Sequence, residues 1–247
     1  KALDITGPFN IQFLSRDNNI KVIECNLRAS RSFPFVSKTL DVNFIGLATK
    51  IMLGADYEPA VLKVYEMDRV GVKCPVFSFP RLPGADPVLG VEMASTGEVA
   101  CFAEDLRDAY LLSLTASGFP MKNLQQKNGK VLVSIGQDVD RFSLGDSLQI
   151  LSNHYQLLAT PGTYQFYQSQ KESPEWNLHG LEKIEWKDIY NTTDFSLVIN
   201  IPKHTGDVEG GTETNGKTLR RYCINQNIGL MTNVKLAALL IRSLVKN

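Results

Sequence analysis

The chain has 247 residues, enough for two domains that each bury a core. Its 26 basic and 26 acidic residues balance, so no global field draws nucleic acid or an anionic membrane, and any anion site must be local. No apolar run approaches the roughly 20 residues that span a bilayer. The four cysteines, Cys25, Cys74, Cys101 and Cys223, are too scattered for a CxxC zinc site or a disulfide framework, which points to a reducing compartment, cytoplasm or mitochondrial matrix.

The chain opens KALDITGPFN, with no Met and no signal-peptide pattern, and enters a strand pattern almost at once. That opening reads as a cut inside a longer polypeptide. Ile11–Arg16 and Ile20–Leu27 are β-prone runs around Asp17-Asn18-Asn19, a hairpin turn expected to be three residues long. Residues 43–53 suit a helix, with Phe44, Leu47, Ala48 and Met52 on one face and Gly54 as its stop. Ala60–Tyr65 and Val70–Phe79 read as strands, and Pro80, Pro83, Gly84 and Pro87 force a turn-rich stretch. Val99–Phe102 and then a helix over Glu104–Ser117 follow, ended by Gly118 and Pro120.

Met121–Gly129 is polar and aperiodic, so the domain boundary is expected there, giving domains 1–120 and 124–247. Beyond it the pattern alternates. Strands are expected over Lys130–Ile135, Tyr155–Thr160, Phe195–Ile201 and Gly229–Thr232. Helices are expected over Phe142–Asn153, Thr163–Gln170, Thr218–Asn227 and Val234–Val245, with a further one starting at Glu182. Such alternation predicts an α/β fold with a mostly parallel sheet flanked by helices.

Residues two apart on a strand share a face. Glu24 and Asn26 therefore point together, and a three-residue hairpin loop would put Gln12 across from Glu24 on that face. Three oxygen-bearing side chains would suit Mg or Mn, which complete their shells with phosphate oxygens and water. Taken alone, such a pair on a strand is more often a solvated face. Arg28 and Arg31, expected where the strand gives way to irregular chain, could hold a phosphate or carboxylate-like anion.

In the second half, Ala159-Thr160-Pro161-Gly162-Thr163 joins a strand to a helix, where backbone N–H groups favour an anion. A plain N-cap would look the same. Asn200 ends another strand at a comparable level, and two polar strand tips make a shared crevice plausible. Lys217, Arg220 and Arg221 could add positive charge or form a solvated helix face. His154, His179 and His204 are unclustered.

The run GPFNIQFLSRDNNIKVIECNLRASRSFPFVSKTLDVNFIGLATKIMLG resembles the end of the second ATP-grasp unit of carbamoyl-phosphate synthetase large chains. PRLPGADPVLGVEMASTGEVACF, containing Glu92-Met93-Ala94-Ser95-Thr96-Gly97-Glu98, does so too. Cys25 and Leu27 resemble the animal-type enzymes. The resemblance implies an incomplete ATP-grasp C-terminal lobe, antiparallel strands with helices. It implies that Gln12, Glu24 and Asn26 bind Mg or Mn bridging ATP phosphates, and that Arg28, Arg31 and Arg81 steady the phosphoryl group or carbamate. The reaction would be ATP-dependent phosphorylation of carbamate to carbamoyl phosphate. The Gly-rich lobe of such a site is not in this chain, so this chain alone is expected to be inactive. The implied partners are the rest of the large chain and a glutamine amidotransferase subunit or domain, with no nucleic acid and no membrane.

Residues 124–247 resemble the methylglyoxal-synthase-like regulatory domain that ends these chains, best at Leu158-Ala159-Thr160 with Thr163, Leu197–Pro202, Leu219-Arg220-Arg221 and Leu230–Asn233. The resemblance implies an allosteric effector held by Thr160, Thr163 and Asn200, either a nucleotide or N-acetylglutamate. Asp140 stands where nucleotide-binding relatives carry a phosphate-facing Lys, which favours an N-acetylglutamate-like ligand. A pocket Trp is expected at Trp176 or Trp186. Two alternatives remain: a regulatory binding module on a catalytically idle scaffold, and methylglyoxal synthase, for which Asp207 carries no family motif.

Overall fold

The computed structural model describes residues 3–59, 62, 67–90, 94–125, 129–169, 176–192, 194–203, 208–209 and 212–245. The expected strand over Ala60–Tyr65 lies almost wholly outside the described residues, as do Glu92, Met93, His204 and Asp207. The chain divides into two compact units, one of Lys1–Lys73 with Phe102–Ala109 and one of Cys74–Cys101 with Tyr110–Asn247.

The first unit begins with a hairpin, β1 (Asn10–Arg16) against β2 (Asn19–Asn26), antiparallel. Arg16 pairs with Asn19, so the turn is two residues, not three; Asp17 (φ 50°) and Asn18 (φ 61°) take the left-handed conformations that such a turn needs. The pairing then slips between Gln12 and Phe13, where Ile23 has no partner, and this extra residue restores the register of Gln12 opposite Glu24. Helices α1 (Ser32–Leu40) and α2 (Phe44–Met52) pack on each other. α1 stands where irregular chain was expected. Pro34 falls in its first turn, where no intrahelical N–H bond is required, so the proline does not break it. Asn43 caps α2 by accepting from the Gly46 N–H at 2.8 Å.

β3 (Val70–Val76) and β4 (Gly97–Ala103) form a two-stranded sheet, and α3 (Leu106–Ala116) follows. Between the strands, Phe79–Arg81 makes a single 3-10 turn.

The second unit is built on five parallel strands in the order β11-β8-β5-β6-β7. In chain order these elements are β5 (Lys130–Ile135), α4 (Asp138–Ser152), β6 (Gln156–Ala159), α5 (Pro161–Ser169), β7 (Glu182–Lys183), α6 (Trp186–Ile189) and β8 (Phe195–Ile201). A small ladder of β9 (Val208–Glu209) and β10 (Thr212–Glu213) precedes α7 (Asn215–Asn225), β11 (Leu230–Met231) and α8 (Val234–Leu244). The expected helix from Glu182 is instead an edge strand and one helical turn, because Glu182 and Lys183 pair with Leu158 and Ala159.

β5 and β8 are buried on both faces, which is why both read as unbroken apolar runs. Leu132 and Val198 face α7 through Leu219 and Cys223, with Ile189, Phe195 and Ile228 in the same core. Alternation sends Val131, Val133, Leu197 and Ile199 to the opposite face, where α4 and α8 pack together. The polar stretch after Pro120 is no free linker. It forms a 3-10 turn, Met121–Gln125, with Leu124 buried and its carbonyl accepting from the Tyr155 hydroxyl at 2.5 Å.

Candidate functional site

In a parallel sheet every strand delivers its carboxyl end to the same edge. Here the ends of β5 and β8, the starts of α5 and α7, and Trp186 of α6 surround a cavity of about 310 Å³. Thr160, Thr163 and Asn200, the three residues expected to hold an effector, all line it. Each is at least 96% buried.

Their polar atoms are held by the fold. The Thr163 hydroxyl accepts from the Ile135 N–H at 2.9 Å and receives the Thr160 hydroxyl at 3.3 Å, tying the start of α5 to the tip of β5. Asn200 offers Oδ1 to Arg220 Nη1 at 2.8 Å. Thr214 caps α7 by accepting from the Lys217 N–H at 3.3 Å, so the first turns of α5 and α7 both open on the cavity. Two helix starts that open on one cavity favour negative charge between them.

Three cationic side chains join them: Arg141, Lys203 and Arg220. Arg141 was not singled out in the sequence. α4 begins at Asp138, four residues before the expected helix start, which places Arg141 in its first turn; the Arg141 Nε and Nη2 donate to the Ile135 carbonyl at 2.9 and 2.7 Å. Nη1 pairs with Asp138 at 2.5 Å, and the Phe166 ring lies 5.5 Å beneath the guanidinium carbon. A Cβ at Gly162 would sit 3.5 Å from Arg141 Nη2, so guanidinium and helix start approach the same spot. Asp140, by contrast, does not line the cavity. Its neighbour Arg141 is the residue of that turn that reaches the cavity.

Trp186 lines the cavity; Trp176 does not. Trp176 lies on α4 among Phe142 (5.5 Å) and Tyr167 (6.0 Å) and donates Nε1–H to Asp146 at 2.7 Å. Tyr167 in turn donates to the Arg141 carbonyl at 2.6 Å, and burial raises its pKa well above the ordinary phenol value. Among the described residues, those that line the cavity include no acidic side chain.

The other expected site residues divide between the units. In the first, Gln12 and Glu24 are cross-strand partners, and Asn26 Nδ2 donates to Glu24 Oε1 at 3.0 Å and to Asn10 Oδ1 at 3.4 Å. Glu24 and Asn26 thus meet on one side of the hairpin, and pairing puts Gln12 on that side too. One carboxylate with amide oxygens is a donor set of the kind Mg or Mn accepts when phosphate and water supply the remainder; here Asn26 turns its Nδ2, not its oxygen, to Glu24. Arg28 and Arg31 are exposed; Arg28 Nη1 donates to the Ala29 carbonyl at 3.3 Å, and Arg31 occupies the N-cap of α1. Arg81 ends the 3-10 turn of the second unit.

Residues 146–232 match the MGS-like domain. Over its whole length the chain is similar to much longer proteins. The multifunctional protein URA2 of Saccharomyces cerevisiae is 46% identical over 257 residues, covering 100% of this chain and 11% of that protein. The multifunctional protein CAD of Squalus acanthias is 40% identical over 261 residues, covering 99% and 11%. The mitochondrial ammonia-type carbamoyl-phosphate synthase of Mus musculus is 38% identical over 260 residues, covering 100% and 17%. Fungal and animal proteins are both among these relatives, so an animal type is not distinguished. The chain carries an MGS-like domain and is homologous along its full length to a section of carbamoyl-phosphate synthases and of the multifunctional proteins related to them.

Proposed function

We propose that the chain is a section of a carbamoyl-phosphate synthase, with the second unit as its effector-binding module and the first as part of its phosphorylating centre. The observation that supports this most is the convergence of Thr160, Thr163, Asn200 and Arg141 with two helix starts at one cavity. The helix starts and the cationic side chains there favour an anion, and the described lining residues supply no carboxylate that could act as a general acid or base. The shared chemistry of the two candidate effectors, an N-acetylglutamate-like dicarboxylate and a nucleotide, is clustered negative charge. The cations and helix starts accommodate either.

In the first unit, Gln12, Glu24 and Asn26 would hold Mg or Mn against ATP phosphates. The metal would supply charge neutralisation on the transferring phosphoryl group. Arg28, Arg31 and Arg81 would add fixed positive charge to that group or to carbamate. A two-stranded hairpin with Phe13, Leu14, Ile20, Val22 and Ile23 all exposed does not hold such ligands rigidly unaided. The reading therefore assigns ATP turnover to a larger polypeptide and predicts none from these 247 residues alone.

Calorimetric titration of the chain with N-acetylglutamate and with UTP tests the effector reading. One of the two should bind at a single site, and Thr163→Val should weaken it at least tenfold. Heats indistinguishable from dilution for both ligands would remove the reading.

A further inference from the structure

The pocket reading leaves one buried charge unexplained. Arg220 on α7 is 1% exposed, and one of its three nitrogens, Nη1, donates to Asn200 in the cavity wall at 2.8 Å. The other two grip Asp86. Nε donates to Oδ1 at 2.7 Å, and Nη2 forms a close ion pair with Oδ2. Asp86 does not line the cavity. It lies in the turn-rich stretch after Arg81 and also accepts the Val88 N–H at 3.1 Å, which fixes the local chain. α7 packs against the 3-10 turn Phe79–Arg81 as well.

A buried guanidinium carries five N–H donors, and a bidentate carboxylate takes two of them. Here a planar fork is shared between two acceptors on segments far apart in sequence, one a cavity-wall amide, the other a carboxylate in the segment bearing Arg81. Any ligand that draws on Asn200 or moves the start of α7 shifts the guanidinium, and a bidentate pair transmits that shift as a change of angle and distance at Asp86. The space is tight: a Cβ at Gly216 would come within 3.2 Å of Arg220 Nη1. We infer that Asp86 and Arg220 are positioning residues that couple occupancy of the cavity to the 79–90 segment. This rests on the reading of the cavity as an effector site.

The test uses the full-length polypeptide, measuring N-acetylglutamate and UTP affinity and the effect of each on carbamoyl-phosphate synthesis. Asp86→Asn keeps the shape and removes the charge. It should bind the effector within about threefold of the parent, while the effector's change in rate falls at least fivefold; Asp86→Glu should recover part of it. A merely structural pair would lower activity with and without effector alike and leave their ratio unchanged, which would overturn the inference. Hydrogen exchange on the unmutated protein gives a readout independent of any variant: peptides covering 79–90 should change their exchange rate at least threefold when the effector is added. No change there also overturns it. Failure of the unmutated protein to bind either ligand would sink the pocket reading itself, an outcome separate from binding without coupling.

Discussion

Replacing Gly145 with alanine sets two effects of opposite sign against each other. Gly145 is in the interior of α4, where alanine ordinarily gains about 1 kcal/mol of helix stability. The added Cβ, however, would fall 2.2 to 2.6 Å from three indole atoms of Trp176, which no rotamer adjustment of a methyl group relieves. Trp176 must leave. It then gives up its hydrogen bond to Asp146, about 1 kcal/mol. It also gives up ring contacts with Phe142 and Tyr167, about 0.5–1.5 kcal/mol each. The losses exceed the gain, and Gly145→Ala should destabilise the second unit by about 1–3 kcal/mol. Both tryptophans of the chain, Trp176 and Trp186, belong to that unit, so urea denaturation followed by indole emission reports it directly. In a Trp176→Ala background the sign should reverse, with Gly145→Ala stabilising by about 1 kcal/mol. A stabilising Gly145→Ala in the unmutated background, with emission unchanged, would refute the placement of Trp176 on α4.

Three further outcomes follow from the same geometry. Thr163→Val leaves the buried Ile135 N–H without its acceptor and should cost about 1–3 kcal/mol in denaturation, besides its effect on binding. Gly136→Ala would place a Cβ 2.6 Å from the Lys203 backbone nitrogen; because backbone rather than a flexible side chain must yield, stability should fall by at least about 2 kcal/mol and effector binding should be lost in titration. Burial pushes the Cys223 thiol up from 9.0 to about 12 and the Tyr110 phenol up from 10.0 to about 12. The folded form therefore keeps protons that the unfolded chain releases, so stability is intact below about pH 9 and falls at higher pH, by about 1.4 kcal/mol per pH unit for each group. Denaturation midpoints flat between pH 8.5 and 11 would contradict this.

The second unit was legible because its signals are local and redundant. Lys130–Ile135 and Phe195–Ile201 are apolar without alternation, as strands covered on both faces must be, and both bounds agree with the structure. Thr160, Thr163 and Asn200 could be placed together since parallel topology alone brings strand ends to one edge. Arg141 escaped notice because its role depends on where α4 begins, and Asp138-Val139-Asp140 offers no apolar period to mark that start. The edge strand at Glu182 was hidden for a related reason: two charged residues become a strand only through pairing with β6.

In the first unit, Gln12 does lie opposite Glu24, but by a route the sequence reading did not foresee. A turn one residue shorter than expected is offset by one unpaired residue, Ile23. Neither departure shows in residue propensity. α1 lies in a stretch for which no helix was expected, and Pro34 in its first turn is compatible with it. The reach of Asp86 to Arg220, 134 positions away, is a tertiary fact with no local signature.

The effector reading requires negative charge to bind between the starts of α5 and α7. A crystal of the chain soaked with whichever of N-acetylglutamate or UTP binds in titration tests it most directly. A carboxylate or phosphate oxygen is expected within hydrogen-bond reach of the Thr163 or Gly162 backbone, on the side facing Arg141. Density for the ligand elsewhere, with that nook holding only solvent, would contradict it.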